Sequence, residues 1–190
     1  MSDGHKVVLL GESAVGKTSV VLQLNEHVFR NDTTPTVGSG VITKTFETPK
    51  GEITLNIWDT AGEERYRSFT GLYSQGAQGG IIVFDITDKD SFESIPEWVK
   101  TFRENSSTDA SIYVIGNKLD LDANRAIQYD HAFEWCHNQG YTYSEVSAKT
   151  GENISLVFAQ IADDIISKEP VHNQRPVLQK KAEKSSDCSC

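Results

Sequence analysis

Short apolar runs alternate along the chain with segments whose apolar residues recur every three or four positions, and no internal repeat is present. The run "KVVLL" reads as a strand buried on both faces. In "KTSVVLQLNEHV", Val20, Val21, Leu24 and Val28 fall on one helical face. "VITKTFE" and "EITLNIW" alternate as strands do, and "TPKG" between them is a turn signal, so they form an antiparallel hairpin. "GIIVFD" and "SIYVIGN" are two further buried strands. Between them, "SFESIPEWVKTFRE" places Ile95, Val99 and Phe102 on one face, with Pro96 suited to a first helical turn. "NRAIQYDHAFEWCHNQG" reads as a helix that stops at Gly140. "YTYSEVS" is the last strand. "ENISLVFAQIADDIISK" carries Ile154, Val157, Phe158, Ile161 and Ile165 on one face, the clearest helical period in the chain. The alternation predicts an α/β fold, a mostly parallel sheet with helices on both faces. After Lys168 the period ends, and Pro170 and Pro176 appear.

Composition narrows the class. A chain of 190 residues fits one domain over 1–168, with a tail over 169–190. No apolar run approaches the length of a membrane span, and "MSDGHK" lacks the pattern of a signal peptide. Three cysteines, two of them at the terminus, make no disulfide framework and fit a reducing cytosol. The net charge of −9 argues against nucleic-acid binding. That charge is uneven. From Lys168 on, five basic and three acidic residues make the tail +2 and leave −11 for the rest.

The first chemical motif is "GESAVGKTS", residues 11–19. Gly11 and Gly16 permit a tight turn in which the backbone N–H groups of Ser13, Ala14, Val15 and Gly16 converge on one anion. The helix beginning at Lys17 adds its positive end. Lys17 reaches β- and γ-phosphates, and the Thr18 hydroxyl, next to Ser19, ligates Mg²⁺. A strand before the motif and a helix after it are the context this chemistry needs. The motif specifies a nucleoside triphosphate and leaves the base and reaction open.

The base is addressed by "GNKLD", at the end of a later buried strand. The Asp120 carboxylate accepts from N1–H and N2–H₂ of guanine, donors that adenine lacks. Asn117 ties loops together near the base, and the Lys118 stem covers one ring face. Ser147-Ala148-Lys149 supplies a backbone N–H for guanine O6, and Phe29 is placed to stack on the other face. In "WDTAGEE", Asp59 stands at a strand end, where a carboxylate holds Mg²⁺ through water.

These elements, in this order, resemble a small GTPase of the Ras superfamily over about residues 5–168. The resemblance implies a P-loop NTPase fold with a six-stranded, mostly parallel sheet and one antiparallel edge strand. It also implies that Thr36 in "TPTVG" grips Mg²⁺ and the γ-phosphate, that Gly62 contacts the γ-phosphate, and that GTP or GDP is bound with Mg²⁺. "WDTAGEERYRS", "GAQGGIIVFDIT" and "GNKLDL" are most similar to the Rab family. "GESAVGKTS", Ser39-Gly40 and "WVK" look most like its early-endosomal subgroup. Cys188-Ser189-Cys190 resembles the ending on which Rabs receive two geranylgeranyl groups. A metal pair there has too few ligands, since His172 is the only nearby histidine, and the cytosol disfavours a disulfide.

Two positions depart from the family pattern. Glu63 stands where glutamine usually orients the attacking water. An ionised Glu63 only accepts and brings negative charge near a triphosphate, yet a carboxylate is the better base, so the sign of its effect stays open. Val41 occupies a position where Rabs usually present phenylalanine beside the rings matched by Trp58 and Tyr73. A different effector set follows if these residues form the effector face, although both rings could instead pack on the core. The family further implies an exchange factor, a TBC-type GTPase activator that supplies arginine and glutamine in trans, a GDP dissociation inhibitor, prenylation machinery and effectors. It implies a monomeric GTPase domain, and placement on the cytoplasmic face of endosomal or vesicle membranes with a cytosolic pool. Two rivals remain: a nucleotide-binding scaffold without hydrolysis, favoured by Glu63, and a metabolic phosphotransferase, for which no acceptor-binding region is left over.

Overall fold

Strand order β2-β3-β1-β4-β5-β6 sets the architecture. The structure is a computed structural model that describes residues 4–30, 36, 38–62 and 67–168. The strands are β1 (His5–Leu10), β2 (Ser39–Thr48), β3 (Gly51–Thr60), β4 (Gly79–Asp85), β5 (Ser111–Asn117) and β6 (Thr142–Glu145). Edge strand β2 pairs antiparallel with β3, and every other pairing is parallel. This is the predicted sheet. The helices are α1 (Lys17–Glu26), α2 (Arg67–Ser74), α3 (Lys89–Glu93), α4 (Ile95–Arg103), α5 (Tyr129–Asn138) and α6 (Ile154–Lys168), with a 3-10 helix at Leu119–Asn124.

Alternation within the central strands divides the core in two. Val7 and Leu9 of β1, Ile81 and Val83 of β4, and Tyr113 and Ile115 of β5 face one layer. There they meet Val20, Val21 and Leu24 of α1 and the periodic stripe of α6. Val8 and Leu10, Ile82 and Phe84, and Ile112 and Val114 face the other layer, where α3, α4 and α5 cover them. A strand buried on both faces has no polar side to show, which is why these runs are continuously apolar. Phe158 and Ile161 are fully buried at the centre of the α6 stripe. Cutting either to alanine costs about 2–5 kcal/mol.

Four local expectations are corrected. Val28 is not on α1: His27 turns left-handed at φ 55°, its N–H bonds to Gln23 O, and Val28 is left exposed. The segment expected to be helical from Asn124 becomes helical only at Tyr129. The N–H groups of Ala126 and Ile127 are instead spent on Ile86 O, at 2.8 and 3.1 Å. The helix does end just before Gly140, which has φ 73°. The "SFESIPEWVKTFRE" segment breaks at Ser94 into α3 and α4, with Pro96 in the first turn of α4 as expected. Helix α2 is an addition to the expected elements: Phe69, Leu72 and Tyr73 stand at helical spacing in it, but over only 8 residues. Among the described residues, no helix is long and apolar enough to cross a membrane.

Candidate functional site

Parallel strands deliver side chains to one edge of a sheet, and here the segments at the ends of β1, β3, β5 and β6 all reach the same cavity. It measures about 380 Å³. Ser13, Ala14, Gly16, Lys17, Thr18, Ser19, Phe29, Thr36, Gly62, Asn117, Lys118, Asp120, Ala148 and Lys149 line it. Fourteen sequence-predicted residues, taken from six separate stretches of chain, thus meet around one space. Val15, Asp59 and Ser147 do not line it; all three are buried. Arg30, Thr60 and Leu121 do line it and were missed. All three directly follow predicted residues, Phe29, Asp59 and Asp120, a signal that could have found them.

The loop after β1 forms the floor. Gly16 has φ 97°, and a Cβ there would strike the Asn117 side-chain amide, so only glycine fits. It is also the N-cap of α1, whose first turn carries no acidic side chain. The positive end of the helix is therefore left for a ligand anion. Lys17 is buried, and its ammonium donates to the carbonyls of Gly11 at 2.8 Å and Glu12 at 2.7 Å. Burial pushes its pKa down to about 8, while Asp59 and Glu12 pull it back up. An anion in the cavity would relieve that desolvation cost.

Beside Lys17, the Thr18 and Thr36 hydroxyls lie 2.7 Å apart. Asp59, at the end of β3, is also buried. Burial raises its pKa, opposed by a hydrogen bond from Thr18 and by the Lys17 charge. Its Oδ1 has no hydrogen-bond partner among the described residues. A buried carboxylate oxygen in that condition is costly. Two hydroxyls and an unsatisfied carboxylate oxygen are the hard oxygen donors that suit Mg²⁺. Gly62 comes close enough that a Cβ there would strike both the Lys17 ammonium and the Glu12 carbonyl.

The opposite wall is built for a planar, polar ring. Asn117 spans two loops: its Nδ2 donates to Val15 O at 2.9 Å, and its Oδ1 accepts from Ala148 N at 3.1 Å. Asp120 accepts from the Ser147 hydroxyl at 2.6 Å, and the Lys149 ammonium lies 3.7 Å from its other oxygen. Lys118 is left-handed at φ 69°, and its ammonium is held 2.6 Å from Asp85. Asp85 itself ends β4, in register with Asn117 at the end of β5. The wall is braced from behind. Arg125 forms a two-point pair with Glu145 at 2.6 and 2.7 Å and also holds Asp122. Tyr143 donates to Glu145 at 2.7 Å. This clamp joins the chain just after Asp120 to the chain just before Ser147.

The predicted effector residues lie away from the cavity. Val41 is exposed and sits opposite Trp58 in the β2–β3 ladder. The Trp58 and Tyr73 rings are 6.2 Å apart, and the Lys6 ammonium stands 4.4 Å above Trp58. Both rings are only partly buried and rest against the second core layer. Glu63, Cys188 and Cys190 lie outside the described residues.

The sequence profile described as Ras family matches residues 6–167. The Ras-related protein Rab-13 of Canis lupus familiaris is 38% identical over 163 residues, which is 86% of this chain and 80% of the relative. The Rab-13 proteins of Bos taurus and Mesocricetus auratus match to the same extent. With its sheet order, its phosphate-type loop and these relatives, the chain belongs to the Ras family and, within it, to the Rab small GTPases.

Proposed function

We propose that the cavity holds GTP or GDP with Mg²⁺ and that the protein is a slow, partner-read Rab switch in membrane traffic. One observation carries this reading: groups suited to phosphates, to a divalent cation and to a guanine edge converge on a single cavity at the strand ends. In this reading the N–H groups of residues 13–18 and the Lys17 ammonium cradle the phosphates. Thr18, Thr36 and Asp59 hold Mg²⁺, which would offset the charge of the β- and γ-phosphates. Asp120 reads N1–H and N2–H₂, Ala148 N–H reads O6, and Phe29 and the Lys118 stem sandwich the ring. The Asn117 bonds to Val15 and Ala148 keep the phosphate half and the base half in register. Thr36 and Gly62 feel the γ-phosphate, so its loss on hydrolysis releases both segments.

Chemistry rests on positioning and charge. Lys17 stabilises the transferring phosphoryl group, and Glu63 offers the water an acceptor. Turnover is on the order of 10⁻⁴ s⁻¹ without help, and a TBC-type activator supplies what Glu63 does not. The domain ends near Lys168. Residues 169–190 form a tail that carries two geranylgeranyl groups on Cys188 and Cys190. The loop wording favours early-endosomal membranes, where exchange factor, GDP dissociation inhibitor and effectors would act. Glu63 favours a second reading, a scaffold that binds nucleotide without hydrolysis. Phosphate release from purified protein loaded with GTP, followed over a day at millimolar Mg²⁺, separates the two. Slow, complete release supports the switch; none supports the scaffold.

A further inference from the structure

Two features of the sequence, the glutamate of "GESAVGKTS" and the tryptophan of "EWVK", meet in space across 86 positions. Trp98 of α4 is 1% exposed, in the second core layer. Its indole N–H donates to the Glu12 carboxylate at 3.1 Å. A buried indole N–H is costly to leave without an acceptor, and a charged acceptor makes the stronger bond. The other end of the same residue is equally engaged. The Glu12 carbonyl accepts from the Lys17 ammonium at 2.7 Å, and the Gly62 backbone approaches that carbonyl so closely that no Cβ fits between. Residue 12 is thus touched by a core helix on one side, and by the phosphate-facing lysine and the loop after β3 on the other.

We propose that Glu12 is a positioning residue: its bond to Trp98 braces the phosphate loop against α4 and thereby slows nucleotide release. The proposal rests on the nucleotide reading of the cavity. The physical reason lies in the backbone. Lys17 is placed by two carbonyls, those of Gly11 and Glu12, and both belong to the first turn of the loop. The loop is held at buried Gly11 and Val15, but its tip has little packing of its own, since Ser13 and Ala14 are exposed. An anchor to a helix sealed in the core restricts its motion. A loop that moves less presents its N–H groups and its lysine to the phosphates for a larger share of the time.

The test measures release of a fluorescent GDP from the full-length protein, comparing wild type with Trp98→Phe, Glu12→Ala, Glu12→Gln and Trp98→Phe/Glu12→Ala. Glu12→Ala and Trp98→Phe should each speed release by about tenfold, the effect of one charge-assisted hydrogen bond. The double variant should fall short of the product of the two single effects, because the bond the two residues share is lost only once. Glu12→Gln keeps the acceptor oxygen without its charge and should fall between wild type and Glu12→Ala. The indole N–H resonance of Trp98 should move furthest in Glu12→Ala and less in Glu12→Gln. If Trp98→Phe does not fold, the Glu12 pair alone decides, since Glu12 is outside the core. Additive rates, a Glu12→Ala protein within twofold of wild type, or a Glu12→Gln protein as fast as Glu12→Ala would each overturn the proposal. Failure of the wild type to bind labelled GDP would overturn the nucleotide reading instead.

Discussion

The Thr18 and Thr36 hydroxyls meet at 2.7 Å, although 18 positions separate the two residues, one in α1 and one before β2. Asp59 stands beside them with one buried oxygen unsatisfied among the described residues. Burial works against the ionised form of Asp59, and only Thr18 and Lys17 support it. A divalent cation would settle all three groups. Chelation of Mg²⁺ should therefore speed GDP release by roughly tenfold or more, through loss of the largest local charge at the phosphates. Asp59→Asn should blunt that response, since its site is already weakened. Fluorescent GDP release with and without EDTA measures both effects, and equal rates would remove the metal role.

Base choice should rest on Asp120. Its carboxylate is held by the Ser147 hydroxyl at 2.6 Å, which leaves acceptor capacity facing the cavity. Asp120→Asn places a donor where guanine presents donors. Loss of about 1.5–3 kcal/mol weakens GDP binding roughly 10- to 150-fold. Competition titration against labelled GDP, with ADP as the control ligand, gives the number. An unchanged affinity would make "GNKLD" an ordinary surface turn.

The phosphate loop was legible because its residues are contiguous. Gly11, Gly16, Lys17 and Thr18 carry their geometry in their spacing, and the flanking strand and helix confirm it. Asn117 and Asp120 were legible for the same reason. Bonds that depend on topology were not. Lys118 with Asp85, Arg125 with Glu145, and Trp98 with Glu12 join residues brought together only by the order of the strands. The misreadings are local in a different way. His27 leaves the helix by a left-handed turn that its residue type does not announce, which carries Val28 out to solvent. The N–H groups of Ala126 and Ile127 serve Ile86 rather than a helix. The paired arrangement of β2 and β3 was visible from alternation alone, and the turn between them fell at Pro49 and Lys50, inside the expected "TPKG".

Thiol chemistry should divide the three cysteines. Cys136 is fully buried, and burial pushes its pKa up to about 12. Only the thiolate is alkylated, so at pH 8 very little of Cys136 is in the reactive form. Cys188→Ser with Cys190→Ser leaves Cys136 as the single thiol. That protein should resist iodoacetamide at pH 8 until it is denatured. In a eukaryotic cell the wild type should carry two isoprenoids by intact mass and partition to membranes, as two chains hold a protein stably. The double variant should be cytosolic with unchanged GDP affinity. A double variant that stays on membranes would show that another feature anchors the protein.

The central claim is that one cavity reads the presence of a γ-phosphate. Thr36 lines it beside Thr18, and Gly62 lies against Lys17 and Glu12, so both backbones stand where the γ-phosphate would be sensed. Amide hydrogen exchange on the purified protein tests this directly, with GDP in one sample and a non-hydrolysable GTP analogue in the other, both with Mg²⁺. Exchange should slow around Thr36 and Gly62 in the analogue-bound sample and stay the same in the β1, β4 and β5 core. Equal protection around Thr36 and Gly62 in the two samples would contradict the switch.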